Sequence, residues 1–205
     1  AAAPLLVDDQ GRPQQEFQLR RLPTLRSLAS NLLLLDRLIP RNRIQARHRY
    51  HGIELSQVQR IEQPAGAALL MRRDLVDEIG PLDERFRPAW FEDVDYCRRI
   101  HDAGRWVDLV PDAVISHRGG TSLEHLSYGE FQEIWYRNLH LYARKWMTRG
   151  EVEAVRWMIL VGSTLRILAI ATGVASVPVG RKEGIRAHLQ VLKKAFARWG
   201  ESASS

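Results

Sequence analysis

The sequence has one cysteine, Cys97. No intrachain disulfide and no cysteine-based metal cage can form, and a reducing compartment is the simpler setting. Internal repeats are absent, and low-complexity sequence is confined to the Ser202-Ala203-Ser204-Ser205 end, so a disordered chain is not expected. At the N-terminus, Ala1-Ala2-Ala3-Pro4 offers no initiator Met, no basic n-region and no apolar h-region. It is not read as a signal peptide, and the chain is expected to be cut from something longer. The longest apolar segment, residues 157–179, is interrupted by Arg166 and by Gly162, Ser163, Thr164 and Thr172. A central arginine costs roughly 2.5–3.5 kcal/mol on insertion scales, which weighs against a bilayer span and leaves open whether the segment lies on a membrane or avoids it. Acids are scarce in one region only. Residues 156–199 carry eight Lys/Arg against the single acid Glu183, while the remainder holds 22 basic and 23 acidic residues. A basic partner-seeking role therefore belongs to the C-terminal quarter, and no nucleic-acid partner is expected, because no recognised module accompanies the charge.

What is present fits one sizeable domain with an appendage: 205 residues, 45% of them apolar. Leu5-Leu6-Val7 followed by Asp8-Asp9-Gln10-Gly11 predicts a short strand and a turn. Thr24 caps a helical pattern carrying Leu25, Leu28, Leu32, Leu33 and Leu35 and ending by Pro40. Residues 41–60 show no period and predict a mobile loop. Residues 64–71 predict a buried strand, with Gly66 allowing close approach of something bulky. A short helix through Ile79 stops at Gly80-Pro81. Val94, Cys97 and Ile100 recur at helical spacing up to Gly104, giving about three turns. Two apolar runs flanking Pro111-Asp112 predict one or two short strands. Ser127-x-x-Glu130 is a capping box opening a long helix with Phe131, Trp135, Leu139, Tyr142 and Trp146 on one face. Beyond Gly180, Ile185, Leu189, Leu192, Phe196 and Trp199 share a face ringed by Lys182, Arg186, Lys193 and Lys194. Such a helix either lies on an anionic membrane surface or packs its stripe on the domain.

The chemistry concentrates at Trp90-Phe91-Glu92-Asp93-Val94-Asp95, where three carboxylates follow two large aromatics. Acids at a helix start are stabilised by unpaired N–H groups and by the helix dipole. Walled by Trp90 and Phe91, one acid could equally serve as a base. His117 at a strand end could be structural or could ligate a divalent cation. Arg118-Gly119-Gly120-Thr121-Ser122 reads as a plain turn or as a loop whose backbone holds an oxyanion.

The order Gly66-Ala67, Arg72-Arg73, Ile79-Gly80-Pro81-Leu82-Asp83-Glu84-Arg85-Phe86, Trp90-Phe91-Glu92-Asp93-Val94-Asp95, Arg99, Gly104, His117 and Gly119-Gly120-Thr121-Ser122 resembles the second half of family 2 glycosyltransferases, the rhamnosyltransferase-like members in particular. The resemblance covers roughly residues 5–146. It implies an α/β architecture: a partial GT-A fold lacking the N-terminal nucleotide-binding half, with its Asp-x-Asp-type metal motif, and followed by C-terminal amphipathic helices. The expected division is an acceptor-side half at 1–150 and a helical extension at 151–205. The resemblance also implies a nucleotide-diphosphate sugar donor, a Mg²⁺ or Mn²⁺ ion, and inverting transfer to a hydroxyl of a cell-surface glycan or lipid-linked acceptor. Asp93 would be the base and Glu92 would help position the acceptor. Asp95 and Arg99 would brace the helix and its charge network, and are expected among the donor- or acceptor-binding residues. His117 would meet the metal or diphosphate. Arg118, Gly119 and their loop would close over the donor, and Gly66, Ala67, Trp90 and Phe91 would shape the cleft. A cytoplasmic chain, peripheral on the inner face of the plasma membrane, is the matching location. The competing expectation is a non-catalytic membrane-surface or scaffold module built on the basic C-terminal helices.

Overall fold

The structure, a computed structural model, describes residues 1–39, 42–119 and 124–200. The chain is mixed α/β with a small mixed sheet and divides into two units. The first comprises residues 1–24 and 41–121, the second residues 25–40 and 122–205. The break thus falls near residue 121, and the expected boundary at 150 runs through the second unit. The division also separates the charge. The first unit has sixteen Lys/Arg and sixteen Asp/Glu, the second fourteen against eight, so the whole formal surplus of +6 resides in the second.

In the first unit β1 (Ala2–Val7) runs parallel to β5 (Val107–Ser116), whose beginning pairs antiparallel with β3 (Gln59–Ile61). The two apolar runs around Pro111 are one strand. Its ladder with β1 jumps from Pro4↔Val110 to Leu5↔Val114, so Pro111, Asp112 and Ala113 bulge out where a residue without an N–H can be tolerated. After α1 (Gln15–Gln18), β2 (Leu19–Arg20) pairs antiparallel with β4 (Gln63–Pro64). Below the sheet α5 (Arg73–Ile79) and α6 (Glu92–Asp102) complete the core, in which Tyr96, Cys97 and Ile100 meet Ala3, Ile61, Val107 and Leu109.

Two sequence expectations fail in this unit. Residues 41–60 are not a featureless loop: α4 (Arg43–His48) forms there, its start capped by the Asn42 side chain accepting the Ile44 N–H at 2.8 Å, and β3 begins at Gln59. The expected strand at 64–71 is not built either. Only Gln63–Pro64 is strand, a turn follows, and Leu70 is left 74% exposed while its backbone pairs with Ala2. Consecutive small residues at 65–68 give a strand little to pack, and the chain turns instead.

The second unit is helical. The leucine-rich helix expected up to Pro40 is two pieces, α2 (Leu25–Leu32) and α3 (Leu35–Leu38), divided by Leu34 in the left-handed region at φ 62°. The Ser127 capping box opens α7 (Tyr128–Trp146) as expected. A second box, Thr148 with Glu151, starts α8 (Arg149–Ala171) eight residues before the apolar run begins, and α9 (Arg181–Phe196) follows. The interruptions in the apolar segment have a packing reason. Gly162 meets the end of α2 so closely that a Cβ there would lie 2.1 Å from the Leu32 carbonyl oxygen. One turn on, Arg166 donates to the Leu32, Gly162 and Asn31 carbonyls at 2.6, 3.0 and 3.1 Å, satisfying acceptors that a helix C-terminus leaves unpaired. Gly162→Ala is expected to destabilise the protein by about 1–3 kcal/mol through overpacking, read as a lowered urea midpoint at unchanged m. An unaltered midpoint would contradict this contact.

The apolar stripe expected on α9 is not its buried face. Gly184, Ala187, His188, Val191 and Ala195 are buried, while Leu189 and Phe196 are 52% and 78% exposed. The small residues win because they admit close approach: a Cβ at Gly184 would lie 2.5 Å from Val177 Cγ2.

Candidate active site

α6 starts without a side-chain cap, from two consecutive non-glycine residues in the left-handed region, Trp90 at φ 67° and Phe91 at φ 73°. Each such residue costs on the order of 1–3 kcal/mol, and such strain concentrates at functional sites. The pair turns the chain so that Glu92, Asp93 and Asp95 occupy the first helical turn. Phe91 is an anchor and not a cleft wall, since only 7% of it is exposed. Trp90 is half-buried.

Asp93 is held from two directions. Its Oδ2 accepts the Gly66 N–H at 2.9 Å and the Gln63 Nε2–H at 3.3 Å, and its Oδ1 accepts the Val94 N–H at 2.8 Å. A Cβ on Gly66 would lie 2.9 Å from Asp93 Cβ, so glycine is the residue that lets this strand end reach the acid. Burial raises the Asp93 pKa, against the opposing pull of the Gly66 and Val94 amides and of the Arg20 charge. Glu92 beside it is also raised, to about 7, first by burial and then by the Asp93 charge. Its Oε2 is buried without a hydrogen-bond partner. Both carboxyls hold their protons more tightly than exposed ones do, and the Asp93 charge is part of what raises Glu92. Gly66→Ala should push against the Asp93 side chain while leaving the backbone φ tolerable, destabilising the protein by about 1–3 kcal/mol through overpacking, read as a lowered urea midpoint with the far-ultraviolet circular dichroism retained.

Asp95 and Arg99 brace the helix from behind. Asp95 is fully buried and pairs with Arg99 Nε at 3.1 Å, while Arg99 also donates to the Ile79 and Pro81 carbonyls at 2.7 and 2.9 Å. A fully buried carboxylate cannot meet a ligand, so the expected binding role of Asp95 is a bracing role alone. Cys97 is buried and its thiol is pushed up by burial and by Asp93, which removes it as a nucleophile. Ala67 lies exposed in the turn after Gly66.

His117 is positioned separately. Its ring stacks on Phe17 at 4.8 Å, and its Nδ1 lies 3.0 Å from Gln14 Oε1, while Gln14 Nε2 donates to the His117 carbonyl at 2.8 Å. That second bond fixes the glutamine amide, so in the neutral ring Nδ1 carries the hydrogen and Nε2 the lone pair, the tautomer of a metal ligand. His117 thus fits as a single ligand, although no cluster of three His, Cys, Asp or Glu gathers among the described residues. Arg118 is exposed and 3.7 Å from Asp9, and Gly119 is exposed beside the His117 ring. Gly120, Thr121 and Ser122 lie outside the described residues.

Several neighbours of Asp93 escape a reading of the motif. β2 pairs Arg20 with Gln63, bringing both to the acid from segments about 70 and 30 residues away in sequence. Arg20 has its pKa lowered by burial and by Arg49, and His48 is lowered to about 4 by burial and by Arg20, Arg49 and Arg21. His48 is therefore neutral at physiological pH. No local pattern announces Arg20 and Gln63 as neighbours of the acid; only the β2–β4 pairing does.

No protein-family model matches the sequence, and no curated protein matches it.

Proposed function

We propose that the first unit carries the acceptor-side wall of an inverting glycosyl-transfer site of the family 2, GT-A type. The observation that supports this most is the desolvated Glu92–Asp93 pair facing Gly66, in the motif order that resembles that family. Asp93 takes the proton of an acceptor hydroxyl. The freed oxygen attacks the anomeric carbon, forming the new C–O bond as the bond to the diphosphate oxygen breaks, and the nucleoside diphosphate leaves with the electron pair. Two backbone amides fix the direction of Asp93 without consuming all of its lone pairs, and burial makes it a stronger base than an exposed aspartate. Glu92, its pKa raised to about 7 by burial and by the Asp93 charge, lies beside it and helps position the acceptor. A Mg²⁺ or Mn²⁺ ion would offset the leaving group's charge, and His117 Nε2 would be one of its ligands. Donors are nucleotide-diphosphate sugars, rhamnose included, and acceptors are hydroxyls of cell-surface glycans or glycolipids. The protein as expressed from its own gene, incubated with Mn²⁺, a panel of such donors and an acceptor extract, is expected to release nucleoside diphosphate. No release from any donor would count against the reading.

One observation favours the second reading, a membrane-surface module. On α8, which is long and apolar enough to cross a membrane, Trp157, Val161, Leu165 and Leu168 form one exposed apolar strip, and the surplus positive charge sits in the same unit. Flotation with phosphatidylglycerol vesicles, reduced several-fold by Trp157→Glu, supports peripheral attachment at an inner, anionic leaflet. Equal flotation of the variant would remove this reading.

A further inference from the structure

The second unit contains a cavity of about 250 Å³ lined from α7, α8, α9, the Leu34 break and the turn before α9. At ~30 Å³ per water it has room for a small organic molecule. Its charged lining is one-sided: Arg37 and Arg166 face it, and no carboxylate does. Arg166 spends its N–H groups on carbonyls, which leaves its charge uncompensated. The Arg37 side chain has no hydrogen bond or ion pair among the described residues. Against these cations stands His188, 2% exposed, whose Nδ1 is buried with no hydrogen-bond partner. A buried polar atom left unpaired is costly, and this one is free to bond a group entering the cavity. The remaining lining is aromatic and apolar, with Tyr128, Trp135 and Val177 among it, and the Tyr128 ring stands edge-on to His188 at 6.4 Å.

We propose that this cavity binds a small amphiphilic anion, its phosphate or carboxylate engaging Arg37 and His188 and its apolar body lying against Trp135, Tyr128 and Val177. His188 is pushed down to about 4 by burial and by Arg166, so it meets the anion as a neutral Nδ1–H donor and Arg37 supplies the charge. The inference is independent of glycosyl transfer, which concerns the other unit. A soluble alkyl phosphate and a phosphate-headed lipid share the chemistry.

The test uses hexyl phosphate as probe, with tryptophan fluorescence and thermal shift as readouts. Saturable binding is expected, with inorganic phosphate and hexanol each at least tenfold weaker and with Arg37→Gln weakening hexyl phosphate by tenfold or more. Arg37 is exposed and unpaired, so the variant keeps the fold. Given Arg37-dependent binding, competition by phosphatidic acid vesicles supports the site with a lipid as its source, and lack of competition supports it with a soluble one. Absence of saturable binding, equal binding of hexanol, or unaltered affinity in Arg37→Gln overturns the proposal.

Discussion

Replacing Asp93 by asparagine is expected to lower turnover of a nucleotide-diphosphate sugar by about 10²–10⁴-fold, the range a positioned general base supplies, with little change in KM. The substitution is nearly isosteric but not neutral to the local bonding. Both carboxyl oxygens accept backbone N–H groups, from Gly66 and from Val94, and an asparagine must turn its NH₂ toward one of them. The lost hydrogen bond costs about 1 kcal/mol, partly offset because a neutral side chain needs no desolvation of charge. The two roles of Asp93 therefore separate cleanly. If it is a base, turnover collapses while the fold survives at a slightly lowered melting temperature. If it only starts the helix, stability falls by that small amount and turnover per folded molecule is unchanged.

Glu92→Gln should make the protein more stable at alkaline pH and leave it unaltered at acid pH. Glu92 has its pKa raised from 4.5 to about 7 in the fold, so the native state holds this proton more tightly than the unfolded chain does. Stability is then fully present below about pH 4.5, declines as pH rises toward 7, and is level above it. The difference corresponds to at most roughly 3 kcal/mol. Because Glu92 keeps partial exposure, solvent screening reduces it to on the order of 1–2 kcal/mol. Urea unfolding of both proteins at pH 4 and pH 8 measures it, and an equal difference at the two pH values would show that Glu92 is not a raised carboxyl.

Much of this site is legible in the residues themselves. Glu92 and Asp93 at a helix start, the three turns to Gly104, and the Ser127 capping box rest on interactions within four residues of chain, where spacing decides geometry. Gly66 is legible as a place of close approach, but its partner is not. Asp93 comes to it through the placement of α6 against β4, 27 residues apart in sequence. Arg20 and Gln63 are invisible for the same reason, being gathered by the pairing of β2 with β4. On α9 the hydrophobic pattern misleads, because it favours large side chains whereas helix packing there favours Gly184, Ala187 and Ala195. Arg166 likewise reads as a blemish in an apolar run until the carbonyls at the end of α2 appear as its partners.

The most direct test of a base acting opposite a departing diphosphate is the stereochemistry of the product. Proton NMR of the glycoside formed from an α-linked nucleotide-diphosphate sugar should show a β-linked anomeric centre, and from a β-linked donor an α-linked one, because a single in-line displacement inverts the carbon. A product that retains the donor's configuration would contradict the role given to Asp93.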